Sequence, residues 1–251
     1  MIQNKKQEDL YILAKLRQSK TYEGYKSIAD YANGVYECDY VSPYSKSAHN
    51  VDAEVFVILQ DWSCDNNMIR EVCNETNLLG YTPSVGTNKN LIKLLKENLN
   101  LELKDTYTTN LFPYIKMGGM SAYINKEDMK KSAKEFALPM MDIIKPKIAV
   151  ALGMKTFNAL RESCDLKPAR NMSEAADLAF KYSATKIFFQ AHPSQRSQNQ
   201  RTKALVIKDW RRMSDYLDSK KDWSSIVDVR EDLGIVPAIN RLDLVTIIII
   251  E

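Results

Sequence analysis

Four short runs rich in apolar and β-branched residues limit what this chain can fold into. They are residues 54–60 (EVFVILQ), 106–111 (TYTTNL), 147–152 (KIAVAL) and 186–191 (KIFFQA). A near-continuous apolar run of strand length belongs to a strand buried on both faces, as in a parallel sheet. Helical patterns separate the runs at 90–99, 127–144 and 154–162, the second with Pro139 as a kink or break. A further amphipathic pattern at 202–217 sets Leu205, Val206, Trp210, Met213 and Leu217 on one side. Strands alternating with helices need crossover connections. The expected fold is therefore α/β: a three-layer α/β/α sandwich with a central four-stranded parallel sheet.

The flanks read differently. Residues 5–36 carry Leu10, Ile12, Leu13, Leu16, Tyr25, Ile28, Ala29 and Ala32 at helix-like spacing, and residues 40–50 read as loop. Beyond Leu217 the pattern weakens until the β-prone stretch 242–250. A length of 251 residues suits one domain with extensions. The expected division is a helical extension at 1–50 packed on the core, an α/β core at 51–218, and an extension at 219–251 able to add a strand.

Several function classes lose support. The four cysteines (Cys38, Cys64, Cys73 and Cys164) form no C-x-x-C pair and only two histidines occur, so neither a zinc site nor an iron–sulfur cluster is expected. No G-x-G-x-x-G or P-loop sequence appears. Residues 1–9 are polar and no apolar run is long enough to span a bilayer, so a cytoplasmic monomer without cofactor, metal or membrane contact is expected. The net charge of +3 is uninformative, but residues 192–212 hold six bases (Arg196, Arg201, Lys203, Lys208, Arg211 and Arg212) against Asp209 alone. Such a stretch suits a phosphate backbone, or a solvated helix face.

In open α/β sheets, ligands bind outside the carboxyl ends of the strands. At these ends stand Gln60, Asp61, Trp62 and Ser63 for the first run, Asn110 at the end of the second, Gly153 after the third, and His192, Pro193 and Ser194 after the fourth. An acid, an amide and an imidazole thus fall on one rim.

These segments resemble the uracil-DNA glycosylase superfamily. ILQDWS is similar to the family-one motif G-Q-D-P-Y-H at Gln60 and Asp61; TTNLFP is similar to the base-reading strand at Asn110. AHPSQRS is similar to H-P-S-P-L-S at His192, Pro193, Ser194 and Ser197, and PKIAVALG to the superfamily's structural strand. The resemblance covers about residues 50–215. It implies a monofunctional DNA glycosylase that flips a pyrimidine nucleotide out of the stack and hydrolyses its N-glycosidic bond, in base-excision repair or in defence against phage with modified DNA. A non-catalytic DNA-binding module on the same fold is the alternative.

Breaking that bond leaves an anion on the base and a cation-like sugar, and consumes water. Asp61 suits the sugar and the water; a neutral His192 N–H suits the base anion. The rival reading of Asp61 is a helix cap, and of His192 a satisfied core histidine. Asn110 offers one acceptor and one donor, which fits uracil in one amide orientation and cytosine in the other. Tyr81 either stacks on the flipped base or packs its loop. Ser194 and Ser197 either contact phosphate or cap a helix. Arg196 stands where the family has an apolar wedge, and either wedges or binds phosphate; Arg201 is expected at phosphate too. Ser63 replaces the family's tyrosine, which closes the pocket against C5 substituents. A pocket for a C5-substituted pyrimidine follows, unless Trp62 refills the space.

Overall fold

The computed structural model describes residues 2–219. The expected added strand at 242–250 lies outside them. The described strands are β1 (Tyr25–Lys26), β2 (Val55–Asp61), β3 (Tyr107–Phe112), β4 (Ile115–Lys116), β5 (Ile148–Leu152), β6 (Phe180–Tyr182) and β7 (Thr185–Gln190). The helices are α1 (Ile2–Ser19), α2 (Asp65–Met68), α3 (Asn74–Leu79), α4 (Gly86–Leu99), α5 (Lys126–Ser132), α6 (Leu138–Ile144), α7 (Met154–Ser163), α8 (Met172–Asp177), α9 (Gln195–Arg201) and α10 (Lys203–Ser219).

The four apolar runs become β2, β3, β5 and β7, mutually parallel in the order β3-β2-β5-β7. Helices cover both faces, so the α/β/α sandwich stands. A fifth strand, β6, joins the edge antiparallel to β7. It is three residues long, too short for a period-2 pattern to announce it.

The strand residues alternate between two cores, which is why both parities had to be apolar. Phe56 and Ile58 face one side with Leu13, Phe136, Met140 and Phe157. Val55, Val57 and Leu59 face the other with Leu91, Leu95, Trp210 and Met213. The chain passes from β2 to β3 on one side, then returns across β2 to β5 on the other. That reversal is the topological switch point, and it opens a crevice outside the ends of β2 and β5.

Two local expectations are corrected. Residues 5–36 are not one helix: α1 ends at Ser19, Gly24 takes φ +82°, and β1 pairs antiparallel with β4. Tertiary pairing overrides helix-like spacing there. Residues 126–144 run on through Pro139 without a break. The turn ahead of α6 is π-helical over Ala133–Ala137, and such a turn re-registers the ladder where proline has no N–H to give. Arg17 on α1 is fully buried; its guanidinium pairs with Glu37 and donates to the carbonyls of Cys38 and Tyr40. The N-terminal extension is thereby tied to the loop that leads to β2.

No described helix is long and apolar enough to cross a membrane.

Candidate active site

The ends of β2, β5 and β7 bring Asp61, Gly153 and His192 to one edge of the sheet; on β3 Phe112 lies level with Asp61, and Asn110, expected at the strand end, sits two residues back, opposite Leu59. Adjacent strands lie about 4.8 Å apart, so Asp61 and His192, two steps apart, are separated by roughly 10 Å at the backbone. Asn110 lies one step to the other side of β2.

Asp61 ends β2 with its side chain 7% exposed. Gln60 Nε2 donates to its Oδ1 at 2.8 Å. Its Oδ2 lies 2.7 Å from Lys116 Nζ, a lysine only 2% exposed. The amine aims its hydrogen bond at the Met120 carbonyl, 2.6 Å away, so its hold on Oδ2 is electrostatic rather than an aligned hydrogen bond. Lys116 is the site residue that sequence reading missed. Its signal was a lone charge in the apolar run 111–116 (LFPYIK), directly after the strand that carries Asn110. Its backbone is fixed by pairing with Tyr25 and by a bridge to Cys64, beside the Asp61 segment.

His192 follows β7. Its Nδ1 accepts the backbone N–H of Ser194 at 3.1 Å, which leaves the proton on Nε2. Burial pushes its pKa below 6.5; the Asp61 carboxylate opposes that shift and Lys116 adds to it. The ring is therefore a neutral N–H donor at pH 7. Gln198 Nε2 holds the His192 carbonyl at 3.1 Å, and Asn90 of α4 donates to the Pro193 carbonyl at 2.8 Å. Gly153 takes φ +93°, where a side chain would be strained, and turns the chain from β5 into α7 directly against the His192 ring.

Asn110 is fully buried. The Ser42 hydroxyl accepts the Tyr44 N–H at 3.3 Å and donates to Asn110 Oδ1 at 2.6 Å. That fixes the amide orientation that the sequence left open. Asn110 Nδ2 is buried and has no hydrogen-bond partner among the described residues. Orphaned donors of this kind cost about 1–3 kcal/mol and call for an acceptor. Ser42, also fully buried, is a second residue the sequence reading missed; it sits in a stretch read only as loop.

A cleft of about 780 Å³ opens beside the switch point, within the range of ligand sites. Gln60, Gly153, Lys155, Asn158, His192 and Ser197 are on its wall; Asp61 and Asn110 are not. Gln60, on that wall, is the residue that donates to Asp61 behind it. Ser194 begins α9 without a side-chain cap bond, so its hydroxyl is not spent as a helix cap. Arg196 is exposed and half-buried Ser63 lies next to Trp62.

Three expected contacts are corrected. Tyr81 does not line the cleft. Its ring stacks on Tyr44 at 5.1 Å, and it borders a separate depression with Ser47, Ile92 and Lys96. Trp62 does not line the cleft either: its indole N–H donates to the Gly80 carbonyl at 2.7 Å, and its ring packs edge-on against Tyr36. Gly80 cannot bear a side chain, since a Cβ there would lie 1.7 Å from the Pro43 carbonyl oxygen, so this contact is closely set. Arg201 is 7% exposed and spends its guanidinium on Asp209, at 2.8 and 3.0 Å, and on Ser173. It braces α9 against α10 from the cleft wall, so its guanidinium is not a free cation. Arg212 is exposed and pairs with Asp177; the other exposed bases of the stretch are Arg196, Lys203, Lys208 and Arg211.

Among the described residues no group of His, Cys, Asp or Glu side chains is placed to hold a metal ion. No protein-family model matches the sequence, and no curated protein matches it with significance.

Proposed function

We propose that the chain is a DNA glycosylase that removes a pyrimidine base from DNA, as uracil or a C5-substituted pyrimidine. The observation that carries this reading is the placement, at the carboxyl ends of β2 and β7 two strands apart in one sheet, of a buried carboxylate, Asp61, and an imidazole, His192, held as an Nε2–H donor. Asp61 orients water at the sugar C1′ and offsets the positive charge that grows there. His192 donates to the base oxygen that gains negative charge, as in an oxyanion hole. Asn110 Nδ2 supplies a donor to the base edge. Arg196 and the exposed lysines of the 192–212 stretch hold phosphates of the strand. The protein acts as a monomer, in base-excision repair or against phage carrying modified DNA.

Trp62 is committed to Gly80 and Tyr36, so it does not refill the space that Ser63 leaves. That favours a substrate with a C5 substituent. The test is base release, read by mass detection, from duplexes holding uracil, thymine or C5-substituted cytosine. Release of a C5-substituted base is expected; release of uracil alone removes the wide-pocket element, and release of no base removes the enzyme.

The non-catalytic DNA-binding reading rests on one observation: both Asp61 oxygens are already engaged, by Gln60 and Lys116. Equal DNA binding by wild type and Asp61→Asn, with no base released by either, would establish it.

Ser42 provides a sharper prediction. With its hydroxyl gone, the Asn110 amide can rotate, and the donor and acceptor positions at the base edge exchange. Ser42→Ala is expected to narrow the preference between a base with a C4 carbonyl and one with a C4 amine by about 10-fold or more, the scale of a lost buried hydrogen bond. Ratios of kcat/KM on paired duplexes check it; an unchanged ratio with lower stability makes Ser42 purely structural.

A further inference from the structure

Two ion pairs among the described residues have both side chains nearly closed to solvent: Arg201–Asp209 and Lys116–Asp61. They differ in chemistry. The first is a bidentate arginine clamp between helices, with a cation that never gives up its proton. The second uses lysine and sits at the end of β2, on the carboxylate assigned above to the sugar C1′. A buried ion pair contributes little net stability over an apolar pair of the same shape, so stability alone does not call for a lysine here. What a lysine offers that arginine cannot is an amine able to become a nucleophile.

We propose that Lys116 captures the C1′ aldehyde of an abasic deoxyribose as an imine. The inference rests on the glycosylase reading, because base removal makes that aldehyde. The pair Lys116–Asp61 holds what the step needs. The ammonium turns one N–H from the Met120 carbonyl to Asp61 Oδ2, 2.7 Å away, and passes that proton to the carboxylate. The freed amine lone pair attacks C1′, and the carbonyl π electrons move to its oxygen. An amine proton moves to that oxygen to give a carbinolamine. Asp61 then returns its proton to the hydroxyl, which leaves as water, and the nitrogen lone pair forms the C=N bond. Charge and atoms balance: an ammonium and an aldehyde become an iminium and water, and Asp61 ends as it began.

The surroundings suit this. β4 fixes the Lys116 backbone through its ladder with β1, so the amine is presented from a rigid element. The Met120 carbonyl accepts from the amine at 2.6 Å and sets its direction. Residues 117–121 form the stretch over the amine; it contains Gly118 at φ +85° and exposes Met117 and Met120 outward. The charges of Lys116 and Asp61 both act on the His192 ring, in opposite directions.

The test uses the full chain and a duplex with a single abasic site, incubated with sodium cyanoborohydride, which reduces an imine to a stable amine. A covalent protein–DNA adduct is expected, with peptide mapping placing it on Lys116 in large excess over the surface lysines. Lys116→Arg keeps the cation, removes the nucleophile, and is expected to lose the adduct. Absence of adduct, adducts spread over surface lysines, or an undiminished adduct in Lys116→Arg overturns the proposal. Should Lys116→Arg not fold, the peptide map of the wild type decides alone. Base release without adduct removes this step and leaves the glycosylase reading; adduct on abasic DNA with no base released from any duplex removes the glycosylase reading and leaves the capture.

Discussion

Asp61→Leu and Lys116→Met each lower the unfolding free energy by about 3–5 kcal/mol, while the double variant stays close to wild type. The argument is one of desolvation. Both side chains are almost closed to water, at 7% and 2% exposure, so each charge is tolerated because the other lies 2.7 Å away. Removing one leaves the other buried without a counter-charge, which is the costly state. Removing both replaces an ion pair with apolar volume, which comparable proteins accept at little or no cost. For a chain of this size each kcal/mol moves Tm by roughly 2–4 °C, so each single variant melts roughly 6–20 °C lower. A double-mutant cycle by thermal or denaturant unfolding measures the coupling. If the two single losses simply add in the double variant, the pair is not one energetic unit. The same cycle separates stability from chemistry: the double variant folds, and it is expected to release no base and to form no adduct with abasic DNA.

The fold was legible because its signal is physical and repeated. Phe56 and Ile58 feed one core and Val55, Val57 and Leu59 the other, and only a strand covered on both sides needs that composition. The carboxyl-end rule then picks out Asp61 and His192 at their strand ends, while Asn110 lies two residues inside β3 because the apolar run continues through Leu111 and Phe112. What stayed hidden is tertiary. Tyr25 and Lys26 read as part of a helix because Ile28 and Ala29 follow at helical spacing, yet they pair with Ile115 and Lys116 in the ladder that positions the amine. Lys116 could not be assigned from its neighbours, since its partner lies 55 residues away in sequence. Arg201 counted as a free cation in the sequence because its acid, Asp209, is two helical turns further on, across the junction of α9 and α10. Trp62 and Tyr81 are aromatic residues in the right loops, but their rings are claimed by Tyr36 and Tyr44. Spacing places a residue on a rim; it does not tell what else competes for its side chain.

His192→Ala is expected to lower kcat for base release by roughly 10²–10³-fold, the effect of removing one preorganised donor to a developing anion. The loss is in kcat because the donor acts on charge that exists only in the transition state. The wild-type pH profile tests the same role from another side. Burial holds the folded pKa of His192 below 6.5, so the neutral ring survives as the pH drops to that value and the acid limb of the profile falls below it. Stability follows the same group. The unfolded chain binds this proton at higher pH than the folded one does, so stability is intact above pH 6.5 and is lost as pH falls through the folded pKa. An acid limb above 6.5, or a His192→Ala variant within about 10-fold of wild type, would show that His192 is not the donor. The field at the ring explains why that limb is sensitive to its neighbours. Asp61 favours the imidazolium and Lys116 opposes it. Lys116→Met therefore removes the opposing charge, and the acid limb of any activity that survives shifts to higher pH, while Asp61→Asn shifts it lower.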